Sequence, residues 1–368
     1  MKLPVSPPIE PMLAKAVGRI HPGWHYEPKW DGFRAIVFRD KDELDITSRN
    51  SRPLARYFPE VVSAIKETMP SRCVVDGEII IANPERGGLD FWALQQRLHP
   101  AQSRIQLLAG ETPADFVAFD VLAVGDEDLM LRPFRDRRRV LEQLLLGDSA
   151  SVHVTPLTDE AAIAQRWFED FEGAGLDGII AKNGEDTYQP GRRVMEKVKH
   201  DRTMDCVVAG YRVHKSGPGA VGSLLLGLYS DENAPGVDWA EMFGGLTPIG
   251  VAASFPMEMR SRLVTDLDEL VIAMSEHPWG NAVEEISSEG RVNPGSRWNP
   301  GKDLSFVPLR PERVAEVRYN HMDGGRLRHP AQFLRWRPDR DPASCGFDQL
   351  ERPDAVDVAE ILAQATTK

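Results

Sequence analysis

The chain has 368 residues, 42% of them hydrophobic and 27% charged, with a formal net charge of −12. That length suits two domains, and the balance is that of an ordinary globular protein. No apolar run approaches the roughly 20 residues that cross a bilayer. The start, MKLPVSPPIEPML, lacks the basic and apolar regions of a secretory signal. Three scattered cysteines, Cys73, Cys206 and Cys345, argue against a disulfide framework or a structural zinc site, so a cytoplasmic protein is expected.

In chain order, residues 2–12 are proline-rich and read as an extended arm. Strands are predicted over 34–39 and 44–47 around a turn at 40–43, then a helix over 58–69 and a strand over 73–82. Helices follow at 89–98, 137–146 and 159–172, and short buried strands at 116–122 and 178–181. Near residue 203 the texture changes. "DCVVAGYRV" and "GSLLLGLYS" read as strands split by "HKSGPGAVG". A helix over 256–274 and strands over 305–309 and 314–320 complete the pattern. Short strands with one helix suggest a small β-barrel, of which the OB-fold is the common case. The domains are therefore placed at 1–202 and 203–368, the second carrying a C-terminal tail.

Acidic overall charge argues against a nucleic-acid partner, but its distribution does not. Residues 191–215 hold seven Lys/Arg against three Asp/Glu, and residues 310–340 hold eight Arg against four. Either segment could be no more than a solvated face.

The stretch "HYEPKWDGFR" (25–34) places Lys29 between Pro28 and Trp30, two residues before Asp31-Gly32. A lysine attacks only as the free amine, which its reference pKa of about 10.4 makes rare at neutral pH. Burial, nearby cations or a metal must therefore assist it. Pro28 and Trp30 offer apolar cover, and Gly32 permits close approach of a ligand. The alternative is a surface hairpin with an incidental lysine. Glu78 follows Asp76-Gly77 in an apolar strand, Asp177-Gly178 precedes another that ends at Lys182, and Lys197-Val198-Lys199 sets two ammonium groups on one face. Acids so placed suit Mg²⁺ or Mn²⁺, and the cations suit a triphosphate. "HKSGPGAVGS" lacks the ending of a phosphate-binding loop and reads as a hairpin.

Together these segments resemble the ordered motifs of the covalent nucleotidyltransferases, which comprise DNA ligases, RNA ligases and messenger-RNA capping enzymes. The matching stretches are "KWDG" (29–32), "SRN" (48–50), "DGE" (76–78), "FVAFDVL" (116–122), "DGIIAK" (177–182), the pair Lys197 and Lys199, and "LRHPAQFLRWRPDR" (327–340). The series is most similar to bacterial ATP-dependent DNA ligases, in particular the actinobacterial C type and the ligase domain of end-joining ligases. Two positions depart from the pattern. Met195 stands where a tryptophan is usual, and Asp339-Arg340 where Asp-Lys is usual; both keep the apolar and cationic character.

The resemblance implies an α+β protein: an ATP-grasp-like adenylyltransferase domain with antiparallel sheets and flanking helices, then a C-terminal OB-fold β-barrel. It implies that Lys29 attacks the α-phosphate of ATP and carries AMP. Glu27 would read the adenine amine, Phe119 would stack on the base, Trp30 would be a further cofactor contact, and Arg34 and Arg49 would hold the ribose and phosphates. Glu78 and Asp177 would organise Mg²⁺ or Mn²⁺. Lys182, Lys197 and Lys199 would contact the nucleotide, the last two neutralising the α-phosphate, and Arg328, Arg337 and Asp339 would close over ATP. AMP would pass to a DNA 5′-phosphate and the 3′-hydroxyl would displace it, sealing a nick in double-stranded DNA. A monomeric two-domain repair ligase, cytoplasmic and nucleoid-associated, is the resulting expectation, with repair proteins as further partners. The alternatives are an RNA ligase or capping-type nucleotidyltransferase, and a nick-binding protein without chemistry.

Overall fold

A computed structural model of the chain describes residues 1–83, 87–98, 101–145, 149–230, 243–280, 282, 305–320, 322–323, 325–350 and 355–364. Two compact units result, one of Met1–His200 with Arg352–Lys368 and one of Asp201–Glu351. The C-terminal segment, grouped by sequence with the second domain, instead rejoins the first. The reason is burial: Val358, Ile361 and Leu362 enter a cluster with Trp30, Ile80 and Phe171.

The first unit contains strands β1 (Leu13–Ala16), β2 (His25–Pro28), β3 (Phe33–Asp40), β4 (Glu43–Ser48), β5 (Arg72–Ile80), β6 (Asp115–Val124), β7 (Glu127–Asp128), β8 (Val152–Val154), β9 (Ile179–Lys182) and β10 (Arg193–Val198). Four of them form a sheet in the order β1-β10-β9-β2, and the other six a sheet in the order β4-β3-β5-β6-β7 with β8 beside β6. Only β1–β10 and β6–β8 are parallel pairs among the described strands.

Strand β3 shows why the layers stack as they do. Its side chains alternate across the sheet. Ala35 and Val37 join a core with Val61 and Ile65 of helix α1 (Pro59–Thr68) and Leu94 of α2 (Phe91–Gln96), whose N-cap Asp90 accepts from the Ala93 amide at 2.8 Å. Ile36 and Phe38 point the other way, into a core with Met195 of β10, Tyr188, and Leu3, Val5 and Met12 of the N-terminal arm. The six-stranded sheet is thus helix-covered on one face and packed toward the four-stranded sheet on the other. Helices α3 (Gln102–Glu111), α4 (Phe134–Leu144) and α5 (Ala161–Asp170) complete the unit's larger helices.

In the second unit β11 (Arg202–His214), β12 (Gly217–Tyr229), β13 (Leu246–Ala252) and β14 (Val307–Tyr319) precede a small hairpin, β15 (Met322–Asp323) with β16 (Arg326–Leu327), and a last strand, β17 (Gln332–Trp336). The five longer strands make an antiparallel OB-fold sheet in the order β13-β12-β11-β14-β17. Among the described residues no ladder closes it into the expected barrel. Its edges meet at a single bridge between Ala252 and Ala331. The two strands expected over 305–320 are one bent strand. Its pairing to β11 skips from Arg313 to Pro308, and Pro311, with no N–H to give, falls in that gap. The helix expected over 256–274 ends earlier, as α6 (Met257–Leu267), because Val271 is drawn into a bridge with Leu309. Helix α7 (Val358–Ala363) belongs to the returning segment.

Candidate active site

Strand order alone gathers most of the reactive side chains. In the four-stranded sheet Glu27 of β2 and Lys197 of β10 both pair with Ile180 of β9, one from each side. In the six-stranded sheet Arg34 of β3 stands opposite Glu78 of β5, and Asp76 opposite Asp120 of β6. Lys29 lies just beyond β2, its N–H donating to the Gly178 carbonyl at 2.8 Å while its own carbonyl accepts from the Asp177 amide at 3.0 Å. The "DGII" and "PKWDG" segments are therefore sewn together by backbone. Gly178 adopts φ +122°, and a side chain there would strike the Val198 carbonyl. Gly32 is needed for a different close approach from the one expected: a Cβ would collide with the Ile79 carbonyl of β5, not with a ligand.

Lys29 Nζ donates to Asp177 Oδ2 at 2.7 Å, and Lys199 Nζ donates to the same oxygen at 2.8 Å. Burial pushes the Asp177 carboxyl up, but the two ammonium groups overturn that and hold it well below the usual carboxylate range. Lys197 stands nearby without an ion-pair partner among the described residues. Burial, then Lys199, Lys29 and Arg49, push its pKa down. The site thus holds more cation than its one ion-paired acid offsets, as an anionic substrate requires. Half-buried Glu78 accepts from the Gly32 amide at 3.2 Å. Burial pushes it up to about 7 despite the nearby Arg34 and Lys29 charges. No group of three or more metal-ligating side chains gathers among the described residues. Two carboxylates within electrostatic reach of one lysine fit a hard cation held chiefly by phosphate oxygens and water.

The Glu78 shift has a consequence for stability. Folding raises this carboxyl above its ordinary 4.5, so its contribution is full below about pH 4.5 and is lost as pH rises through about 7. Glu78→Gln is expected to flatten the fall in stability between pH 5 and 8, read by urea denaturation at both values. An unaltered slope would show that the carboxyl does not titrate there.

Behind this cluster lies a buried ionic layer. Lys182 Nζ donates to Glu27 Oε2 at 2.8 Å and to the Phe119 carbonyl at 2.9 Å, and Arg138 Nη1 lies 3.6 Å from Glu27 Oε1. Burial raises the Glu27 pKa and lowers that of Lys182, against their mutual attraction. Glu27 Oε1 is buried with no hydrogen-bond donor, an acceptor left over in the place where sequence put an adenine reader. Arg34 grips Asp76 through two bonds of 2.6 Å, and Tyr188 donates to the same carboxylate at 2.7 Å. The Arg34 guanidinium also lies 4.3 Å from the centre of the Phe119 ring.

The expected residues thus separate into groups. Lys29, Glu78, Asp177, Lys197 and Lys199 are brought together, with Arg49 exposed at the rim; Glu27, Phe119 and Lys182 form the buried layer beside them, and half-buried Arg34 lies against Phe119. Trp30 does not join them. Its indole turns into the apolar cluster and donates to Thr155 Oγ1 at 2.8 Å. Arg337 and Asp339 lie in the second unit, where Arg337 Nη1 donates to both Asp205 oxygens at 3.1 and 3.0 Å and its Nη2 to Asp339 at 2.8 Å. The bond from Arg337 draws the Asp339 carboxyl down to about 2. Arg328 is in the same unit, its pKa lowered to about 10 by burial. Sequence reasoning missed Asp76, Tyr188, Arg138 and Asp205. Only Asp76 carried a signal, an acid inside an apolar strand.

An adenylyltransferase-type unit with a lysine-centred cationic site, followed by an OB-fold unit, defines a nucleotidyltransferase of the ligase kind. Residues 11–199 match the family described as ATP dependent DNA ligase domain, and residues 217–340 match the ATP dependent DNA ligase C terminal region. DNA ligase C of Mycobacterium tuberculosis is 58% identical over 98% of this chain and 99% of its own length. DNA ligase C2 of Mycolicibacterium smegmatis is 56% identical over 96% and 97%. A solved Lig E DNA ligase, 18% identical, has the same fold with a TM-score of 0.54 over 89% of this chain and 99% of that one. The chain belongs to the ATP-dependent DNA ligase family and is an enzyme of that class. These similarities do not favour the RNA-ligase, capping or non-catalytic readings.

Proposed function

We propose that Lys29 is the residue that carries AMP. Its nitrogen, freed of one proton, attacks the α-phosphorus of ATP; the N–P bond forms as the bond to pyrophosphate breaks. AMP then passes to the 5′-phosphate of a nicked DNA duplex, and the adjoining 3′-hydroxyl displaces it to form the phosphodiester. The observation that carries this reading is the sharing of one Asp177 oxygen by Lys29 and Lys199. It holds the nucleophile beside a second cation, where charge builds on the phosphorane oxygens. Lys197 adds a further cation and Arg49 guards the rim. Glu27, backed by Lys182, accepts from the adenine amine. Phe119 takes the base face, and Arg34, set by Asp76, faces the ribose. Glu78 and Asp177 hold Mg²⁺ or Mn²⁺, which when bound supplies charge neutralisation for the triphosphate.

In the second unit Arg337, Asp339 and Arg328 act on ATP during the first step, and the basic stretches at 191–215 and 310–340 meet the DNA backbone. The domain limits are those of the two compact units. The enzyme acts as a monomer in the cytoplasm, near the nucleoid, in repair of nicks, with repair proteins as its protein partners.

Incubation with ATP and Mg²⁺ or Mn²⁺ is expected to add one AMP to the intact mass, with GTP adding nothing comparable. The protein should then seal a nicked duplex bearing 3′-hydroxyl and 5′-phosphate ends. Equal labelling by GTP would remove the assignment of Glu27, and sealing confined to RNA would remove the DNA substrate.

A further inference from the structure

Helix α7 is contributed by chain that has already left the first unit, traversed the second and come back. It does not simply tie off a loose end. Val358 donates its N–H to the Gly87 carbonyl at 2.9 Å, and the Asp357 side chain caps the helix at the Ala359 amide, 2.9 Å away. Val358, Ile361 and Leu362, at 1%, 0% and 8% exposure, enter a cluster completed by Trp30, Ile80, Val117, Phe171, Ala174 and Leu176. Two of these residues matter for chemistry because of their neighbours. Trp30 immediately follows Lys29, and Leu176 immediately precedes Asp177. The backbone bonds between Lys29 and both Asp177 and Gly178 join the two segments in front, and the helix braces them behind.

We propose that helix α7 is a positioning element for the Lys29–Asp177 pair, with Ile361 and Val358 as its anchoring side chains. The proposal rests on the reading of Lys29 as nucleophile. Packed interiors resist displacement of even a single methylene, so the cluster fixes Trp30 and Leu176, and through them the two segments that place Lys29 Nζ against Asp177. Glu27, Lys182 and Phe119, which the proposed function gives to the base, lie outside the cluster. Loss of the helix anchors therefore acts on the chemical step and not on nucleotide capture.

The test uses the full-length protein and the rate of lysine–AMP formation at varied ATP. Ile361→Ala is expected to lower the maximal rate at least ten-fold (about 1.4 kcal/mol) while the KM for ATP stays within about two-fold. Ile361→Leu should restore most of the rate. Val358→Ala, a smaller truncation, should lower the rate less with the same unaltered KM, and it serves if Ile361→Ala does not fold. A maximal rate unchanged in a folded variant would overturn the proposal, as would a rate and KM that change together. Failure of the wild type to form lysine–AMP would instead sink the assignment of Lys29, so the two failures are told apart.

Discussion

Lys29→Ala is expected to abolish formation of the protein–AMP adduct, a loss on the order of 10³ or more in rate. It should leave the protein folded and still able to seal a nick that already carries a 5′-adenylate. The reason lies in what each step needs. Only the first requires a nitrogen nucleophile. Once AMP is on the DNA, the attacking group is the 3′-hydroxyl, and the cations around the phosphate remain. Removing Lys29 also leaves Asp177 paired with Lys199 at 2.8 Å, so no buried charge is stranded and stability should change little. Asp177→Asn asks the complementary question. It keeps the shape but withdraws the charge that holds two ammonium groups at one oxygen. Mutual repulsion of Lys29, Lys197 and Lys199 is then unrelieved, and adduct formation should fall at least about 100-fold. Intact mass after incubation with ATP, and gel assays on plain and pre-adenylated nicks, read these outcomes. An alanine variant that still gains AMP would end the assignment of Lys29.

Which side chains the fold would gather could be anticipated from the sequence, but their orientation could not. Lys29, Glu78, Asp177, Lys197 and Lys199 are recognisable because residue type and order along the chain suffice. Trp30 shows the limit. Beside a reactive lysine it read as a cofactor contact, yet consecutive residues can point opposite ways, and only packing with Phe171, Leu176 and Ile361 shows that this one is core. Gly32 was expected to admit a ligand; the carbonyl of Ile79 is what forbids a side chain there. Asp76, Tyr188 and Arg34 meet across separations of 42 and 112 residues, which periodicity cannot report. The same holds for the fold. The strands β3, β4 and β5 were legible, and so were β6 and β9, from their short apolar runs. The four-residue strands β1 and β2 and the six-residue helix α7 are held by tertiary contacts and are too short for a periodic signal of their own. Helix α4 was expected only over 137–146, and nothing in that pattern shows that Arg137 and Arg138 are buried at 0% and 4% exposure.

That burial carries the second large effect, on stability. Arg137 binds Asp120 through bonds of 2.8 and 2.9 Å, with both side chains shut off from solvent. Its remaining terminal nitrogen donates to the carbonyls of Arg132 and Asp186 at 2.6 and 3.1 Å. One guanidinium thus ties β6, the entry to α4 and the loop that carries Tyr188. Asp120→Ala leaves that guanidinium buried with carbonyl partners alone, and the expected cost is roughly 3–5 kcal/mol. Replacing both members with apolar residues, Asp120→Leu with Arg137→Met, removes the stranded charge, and buried ion pairs so replaced are often neutral or better. Here recovery should be incomplete, because the Arg132 and Asp186 carbonyls lose their donor, at about 1–3 kcal/mol for a buried acceptor left unmet. Urea unfolding of the single and double variants, with hydrogen exchange across residues 115–124, measures both terms. A single variant destabilised by less than about 1 kcal/mol would mean that the pair does not hold these elements together. Because Asp120 adjoins Phe119, whose carbonyl Lys182 grips, the exchange protection lost in β6 should be accompanied by weaker ATP binding.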